Sequence, residues 1–583
     1  MTRIAVVQKG KCNPTKCSEL CLKKCPVNRM GEKCIINVDN KAQIDEELCN
    51  GCGICQNICP FEAVHIINLP QALDKAPIHQ FGKNGFRLFK LPIPIFGKVV
   101  GIVGRNGIGK TTAVKILAGL LKPNFGNLKT ESTYKDLINY FKGTEAQSYF
   151  EKVHKKEITI SYKPQQVDMI PKSYNGKVKD LLKKVDETGK LNEIIEKLDL
   201  KNVLDNDIKK ISGGELQRVA IAATVLKKAN LYFFDEPTSY LDIKQRIKVS
   251  KFIRSLADEN TAVMVVEHDL IILDYLTDLV HMMYGKETCY GICSMPKSTR
   301  AGINVYLSGF LKEENIRFRD KEIKFTKHAT DKVQGNLVLT EWKNIKKKLG
   351  NFNLQADSGI INRQEVVGIL GENGIGKTTF AKILAGVTEA DQGQINKSVK
   401  VSYKPQYLET KSDELVINFL QKAFDNYKMQ LIRPLNIKQL QYKKLHELSG
   451  GELQRVSVAH CLSQEADLYL LDEPSAYLDV EQRLIISKLI QDFMEHKGTT
   501  ALIVDHDLLF IDYLSHRLIV FDGKPAVHGV IHGPFSMQEG MNKFLKDLNL
   551  TFRRDPESGR PRANKPESIK DREQKADEKY YYG

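Results

Sequence analysis

The octapeptide SGGELQRV occurs twice in this chain, at residues 212–219 and again at 449–456. Chance does not repeat eight residues within a chain of 583. An internal duplication constrains the fold more than any composition does. The octapeptide belongs to a longer series. GRNGIGKTT begins at Gly104 and GENGIGKTT at Gly371; YKPQ begins at Tyr162 and Tyr403. LYFFDEPTSYLD begins at Leu231 and LYLLDEPSAYLD at Leu468, while VVEHD and VDHD carry His268 and His506. Ser212 lies 23 residues before Asp235, and Ser449 lies 23 before Asp472. Asp235 to His268 spans 33 residues, against 34 in the second copy. Two copies of one domain stand in register.

The register has one large break. Lys110 to Gln165 spans 55 residues and Lys377 to Gln406 spans 29, so the first copy holds 55 − 29 = 26 extra. They fall near YKDLINYFKGTEAQSYFEKVHKKEI. There Leu137, Tyr140 and Phe141 share one helical face, and Ala146, Tyr149, Phe150 and Val153 share another, with Gly143 between. The pattern predicts a helix–loop–helix insert over about 131–157. Its lysines (Lys135, Lys142, Lys152, Lys155, Lys156) either meet phosphates or form a solvated face. The second copy lacks the segment and keeps every motif, so the insert is expected to be dispensable for the shared chemistry.

Gly104-x4-Gly109-Lys110-Thr111 and Gly371-x4-Gly376-Lys377-Thr378 match the phosphate-loop pattern. The context agrees: KVVGIVG and EVVGILG read as buried strands, and TTAVKILAGL and TTFAKILAGV as helices. Glycines let backbone N–H groups curl round phosphates at a helix N-terminus, where the dipole favours anions. The candidate ATP-binding residues are Gly104, Asn106, Gly107, Gly109, Lys110, Thr111 and Thr112, and Gly371, Asn373, Gly374, Gly376, Lys377, Thr378 and Thr379. The lysines neutralise the terminal phosphates, and the hydroxyls of Thr111 and Thr378 suit Mg2+. LYFFDEP and LYLLDEP are apolar strands ending in two acids. Asp235 and Asp472 suit Mg2+; Glu236 and Glu473 suit polarising an attacking water.

This set resembles the ATP-binding-cassette family, in which SGGELQ is the signature motif. The resemblance implies two tandem P-loop cassettes packed head to tail, the signature of each capping nucleotide on the other. The first site then joins Lys110, Thr111, Gln165, Asp235, Glu236 and His268 with Ser449, Gly450 and Gly451. The second joins Lys377, Thr378, Gln406, Asp472, Glu473 and His506 with Ser212, Gly213 and Gly214. The family's histidine contacts the γ-phosphate. Phe86 and Phe352, 24 and 25 residues before the lysines, either stack on adenine or pack in the core, and Trp342 competes with Phe352.

Nine of the twelve cysteines precede residue 60, which in a reducing compartment points to metal. Cys49-x2-Cys52-x2-Cys55-x3-Cys59-Pro60 is the bacterial ferredoxin run, and Cys12-x4-Cys17-x3-Cys21-x3-Cys25-Pro26 is a stretched version. In that fold the fourth cysteine of each run ligates the other cluster. One [4Fe–4S] cluster is therefore expected on Cys12, Cys17, Cys21 and Cys59, and the other on Cys49, Cys52, Cys55 and Cys25. Zinc also suits four thiolates, but the third close cysteine and the Cys-Pro ending are ferredoxin features. Cys34 is assigned to packing; Cys289, Cys293 and Cys461 are too isolated to ligate.

Lys plus Arg exceed Asp plus Glu by 87 − 71 = 16, so the surface favours a polyanion such as nucleic acid. No apolar run reaches the roughly 18–20 residues of a membrane helix, and no leader pattern opens the chain. A cytoplasmic protein with no membrane partner is expected.

A two-cluster head joined to twin cassettes resembles the subfamily E ATP-binding-cassette proteins, the RNase L inhibitor and ribosome recycling factor family. RIAVV, PFEAVHIINLP, FRLFKLPIP and FRRDPESGRPRANK carry the likeness along the whole chain. The fold class is thus α/β multidomain: a ferredoxin-like head at 1–75, a first cassette at 76–293, a hinge at 294–330, a second cassette at 331–545, and a C-terminal hinge and charged tail at 546–583. The resemblance implies an Mg2+-dependent ATPase whose closing cassettes swing the head against eukaryotic release factor one or its Pelota-type rescue homologue, splitting the ribosome. It also implies that the insert contacts the small ribosomal subunit and that initiation factors are partners. AGINVYLSGFLKEENIRFRD at 301–320 echoes EGMNKFLKDLNLTFRRD at 539–555; their lysines and arginines suit rRNA as well as hinging. KPESIKDREQKADEKYYYG lacks periodicity and reads as unstructured. An ATP-driven iron–sulfur redox protein is the alternative; it leaves the basic insert and hinges without a role.

Overall fold

The computed structural model describes residues 3–69, 76–129, 132–320, 322, 323, 325, 337–384, 386–396, 399–406 and 412–582. The chain forms two compact units, 1–237 with 252–267 and 277–320, and 238–251 with 268–276 and 321–583.

The first unit opens on a small domain with little regular structure. Strands Arg3–Val7 and Val64–Asn68 pair antiparallel, Arg3 opposite Asn68, and Ile35–Val38 pairs with Lys41–Ile44. The helices between them, Pro14–Cys17, Leu20–Lys24, Pro26–Arg29 and Ile54–Asn57, have four or five residues each. Helices this short do not persist in isolation. They are held by a core in which Ala5, Val7, Ile35, Ile44 and Val64 surround Cys12, Cys21, Cys25, Cys34 and Cys55. So small an apolar core calls for a metal or another staple.

Asn84 fastens this domain to the rest of the unit. It is 2% exposed. Its Oδ1 accepts from Ile44 N–H at 2.8 Å, and its Nδ2 donates to Ala5 O at 3.1 Å. Arg87 adds a fork of two 2.8 Å bonds to Glu46. Asn84→Ala strands a buried donor and a buried acceptor, at about 1–3 kcal/mol each. A lower calorimetric melting midpoint is expected, with Asn84→Asp losing at least as much, because its buried carboxylate would face Ala5 O and Glu46 with no donor between them.

The rest of the unit is a doubly wound sheet. Its parallel centre runs Ile160–Lys163, Leu231–Asp235, Ala262–Val266, Val99–Gly104, Leu279–Lys286. The central three strands are buried throughout, as expected where both faces are covered. The second unit repeats the order with Val401–Lys404, Leu468–Asp472, Thr500–Val504, Val366–Leu370 and Arg517–Lys524. The duplicated motifs therefore lie at corresponding strand ends, at the carboxyl edge where such sheets bind ligands.

The insert comprises helices Tyr134–Tyr140 and Glu145–His154, with Gly143 at φ +79° between them. Its apolar faces do not stand apart from the cassette. Leu137, Phe141, Ala146, Tyr149 and Phe150 belong to the core that includes Val100, Val114 and Leu117, and Tyr149 donates to Leu117 O at 2.6 Å. The insert is absent from the second copy but is part of the first copy's core. Its five lysines are exposed.

The echoed segments each begin as a helix, Thr299–Ser308 and Met537–Asp547. Gly302 and Gly540 let these helices lie directly on Val280 and Leu518 of the neighbouring strands. Two expectations change here. First, much of the basic charge is engaged internally. Arg319, 6% exposed, caps its helix by donating to Tyr306 O and Leu307 O at 2.7 and 3.0 Å. In the second unit Arg554 pairs with Asp512 at 2.9 Å, and the fully buried Arg560 pairs with Asp274. Second, the tail is ordered. Ser568 caps helix Ile569–Ala576. Gln574 donates to Phe552 O at 2.8 Å, Thr551 donates to Asp571 at 2.6 Å, and Tyr581 bonds Asp512. Polar side chains hold this tail, so no apolar periodicity announces it.

Candidate functional site

Each phosphate loop joins the end of a buried strand to a helix that starts at its lysine, Lys110–Leu117 or Lys377–Leu384. Gly107 and Gly109 have φ +71° and +92°, and Gly374 and Gly376 have +74° and +97°, values that side-chain-bearing residues rarely adopt. A Cβ on Gly109 would also stand 2.7 Å from Phe86, and one on Gly376 3.0 Å from Phe352. The two phenylalanines thus lie against the loops and are half-buried. Trp342, 1% exposed and edge-on to Phe380, is core. Lys110 donates to the carbonyls of Gly104 and Arg105 at 2.9 and 2.8 Å. Lys377 does the same to Gly371 and Glu372 at 2.8 and 2.9 Å. The ammonium is thus aimed across its own loop. Burial lowers Lys377 to about 8.

Thr111 and Thr378 each donate to the first acid, Asp235 or Asp472, at 2.8 Å. The other oxygen of Asp235 is buried with no hydrogen-bond partner. A hydroxyl beside a buried carboxylate oxygen with an unshared lone pair is a donor set for a hard cation. Gln165 reaches Glu236 at 2.6 Å, and Gln406 reaches Glu473 at 2.7 Å. Burial, then Asp505 and Asp472, pushes the Glu473 carboxyl up, the direction a general base needs. His506 Nε2 lies 2.8 Å from Asn373 Oδ1 and 3.5 Å from Glu473. Burial beside Lys377 and Arg246 holds its imidazole neutral. His268 is buried as well, in the segment belonging to the second unit.

Ser212 and Ser449 cap helices Gly213–Val225 and Gly450–Ser463, each in a reciprocal box with Glu215 or Glu452. Gly213, Gly214, Gly450 and Gly451 form the first turns, so free backbone N–H groups open each signature helix. Within the second unit, Asp242, seven residues after the first acid, accepts from Asn373 N–H at 3.2 Å. Lys244 pairs with Glu372 at 2.8 Å. The segment after the first carboxylate pair therefore touches the second phosphate loop.

In the small domain the cysteines fall into two groups. Burial, then Cys12 and Cys17, with Cys59 also close, raises the Cys21 thiol to about 11. Burial, then Cys49 and Cys52, raises Cys55 to about 12. Cys34 is raised to about 12 by burial and by Cys25 and Cys49, which places Cys25 beside the second group. Thiolates crowded this way repel one another unless cationic iron sits among them. Among the described residues no three His, Cys, Asp or Glu side chains close on a single ion. The residues fit the clusters.

Profiles of known families agree. "ABC transporter" matches residues 96–239 and 354–476, "Possible Fer4-like domain in RNase L inhibitor" matches 2–33, and "4Fe-4S binding domain" matches 42–65. ABC transporter E family member 1 of Arabidopsis thaliana is 47% identical over 100% of this chain and 99% of its own. Translation initiation factor RLI1 of Saccharomyces cerevisiae is 44% identical over 100% and 98%. This chain belongs to subfamily E of the ATP-binding-cassette proteins. Among solved structures, a model of ribosome-bound archaeal Pelota and ABCE1 superposes with TM-score 0.93 at 53% identity, covering 100% of this chain and 99% of the other. An archaeal recycling factor aABCE1, solved with the stalk protein aP1, gives 0.83 at 52%, covering 88% and 100%.

As a subfamily E protein the chain carries an iron–sulfur domain and two ATP-hydrolysing cassettes. Among the described residues no helix is long and apolar enough to cross a membrane. Motif matching alone misses two side chains in each site. Lys163 and Lys404 sit inside YKPQ, and Gln217 and Gln454 inside the repeated octapeptide. Each bonds the backbone that carries the acids. Their repetition in both copies is the signal that marks them.

Proposed function

We propose that this protein splits ribosomes into subunits after termination or rescue, and that it binds the small subunit in a way linked to initiation. The observation that carries this is the full-length likeness to an ABCE1 captured on the ribosome with Pelota; relatives named translation initiation factor support the second role. ATP binding draws the cassettes together, each signature completing the other's site, and the iron–sulfur domain moves against release factor or its Pelota-type homologue. Hydrolysis reopens the cassettes. Glu236 and Glu473 orient and deprotonate the attacking water, assisted by Gln165, Gln406, His268 and His506. Mg2+ would be held by Thr111 with Asp235 and by Thr378 with Asp472, where it would supply positive charge to the phosphate oxygens. Cys12, Cys17, Cys21 and Cys59 would hold one [4Fe–4S] cluster, and Cys49, Cys52, Cys55 and Cys25 the other. The clusters would give the small domain the rigidity its apolar core lacks. The protein works in the cytoplasm.

Sedimentation with ribosomal subunits tests the reading. Binding to the small subunit is expected to need a non-hydrolysable ATP analogue; equal sedimentation without nucleotide counts against it. The insert's share is best measured by charge reversal, because deleting it removes part of the core. Replacing Lys135, Lys142, Lys152, Lys155 and Lys156 by Glu should leave basal ATP hydrolysis intact. It should weaken subunit binding and lower the slope of log K against log salt by about one for each phosphate no longer neutralised. An unchanged slope would make the lysines a solvated face.

A further inference from the structure

Glu236 and Glu473 both sit at φ +48°, a left-handed conformation that costs energy for any residue with a side chain. Something must hold it. In each copy the glutamate's N–H donates to the adjacent strand, to Val266 O at 3.0 Å or Val504 O at 2.7 Å. Its carbonyl accepts from two side chains on different elements. Lys163, 0% exposed, donates to Asp235 O at 2.9 Å and Glu236 O at 3.1 Å. Gln217, also 0% exposed, donates to Glu236 O at 2.7 Å. In the second copy Lys404 donates to Asp472 O at 2.7 Å and Glu473 O at 3.3 Å, and Gln454 to Glu473 O at 2.5 Å.

Desolvation disfavours the charge of a buried lysine, and here nearby carboxylates, Asp235 and Glu236 or Asp472 and Glu473, offset part of that cost without bonding the ammonium directly. These two direct that charge at main-chain carbonyls. Each lysine ends the strand that leads to Gln165 or Gln406, and each glutamine of the clamp is on the signature helix. We infer that the lysine of YKPQ and the glutamine of SGGELQ are positioning residues, a two-armed clamp that fixes the catalytic glutamate. The clamp also ties that glutamate to the strand before Gln165 or Gln406 and to the helix that presents the signature. It rests on the reading of Glu236 and Glu473 as bases.

The test keeps side-chain shape and removes the donors. In the full-length, cluster-loaded chain, Lys163→Met with Lys404→Met is expected to lower kcat by on the order of 10- to 100-fold, the usual effect of a misplaced catalytic group. Binding of a fluorescent ATP analogue should stay within about twofold, and bound ATP should be retained unhydrolysed, as with Glu236→Gln plus Glu473→Gln. Gln217→Met with Gln454→Met should give the same pattern more weakly, and it takes over the test if the lysine variant does not fold. Nucleotide affinity falling in step with kcat, or full turnover in the lysine and glutamine variants, overturns the clamp. If the glutamate control itself turns over normally, the base assignment is what has failed; if only the clamp variants do, the clamp has failed alone.

Discussion

ATP turnover by the Glu236→Gln, Glu473→Gln double variant is expected to fall by on the order of 10²–10⁴-fold, the usual worth of a general base, with nucleotide binding retained. The geometry separates the two functions. In the proposed reading binding rests on Lys110 and Lys377, whose ammonium groups lie across the loop carbonyls, and on the threonine–aspartate pairs. None of these hydrogen bonds is made to a glutamate side chain. Those side chains instead face Gln165 and Gln406, and an amide in place of the carboxylate keeps the shape while losing the charge and the proton acceptor. Single-turnover hydrolysis beside equilibrium nucleotide binding is the measurement. Turnover near wild type rules out the base role, and affinity lost in proportion to rate relocates the glutamates to binding.

Cys25→Ser is expected to damage the cluster of Cys49, Cys52 and Cys55, although Cys25 closes the other run. Iron and sulfide should fall by about half, the signature of one lost [4Fe–4S] cluster of two. The remaining absorption should match Cys49→Ser more closely than Cys17→Ser. The structural basis is the position of Cys34, which has Cys25 and Cys49 as its thiol neighbours, whereas Cys12, Cys17 and Cys59 surround Cys21. Zinc without sulfide in the purified protein overturns the assignment, as does Cys25→Ser matching Cys17→Ser.

Much of the site is legible in the sequence because its chemistry is local. A phosphate loop needs glycines at fixed offsets before a lysine, and a cluster run needs cysteines a few residues apart, so spacing alone carries the information. The duplication doubles each signal and exposes the insert as the largest break in register. Trp342 and Phe352 cannot be told apart by spacing, because both are aromatic and near; only packing puts Trp342 against Phe380 and Phe352 against Gly376.

The rest is not local. Net charge gives the number of arginines and not their partners. Arg319 and Arg554 read as part of basic hinges, with Arg560 just beyond, yet each is paired inside the fold, over separations of up to 286 residues. The tail reads as disordered because its anchors are polar: Asp571, Gln574 and Tyr581 find buried partners that no periodicity reveals. By itself the sequence determined the duplication, the motifs and the cysteine runs, since each is a pattern of neighbours along the chain. Only the tertiary structure decided which charges are free and what holds Glu236 and Glu473 in place. Those depend on burial and on bonds between residues far apart in sequence, where an unpaired polar group is costly and a paired one is silent.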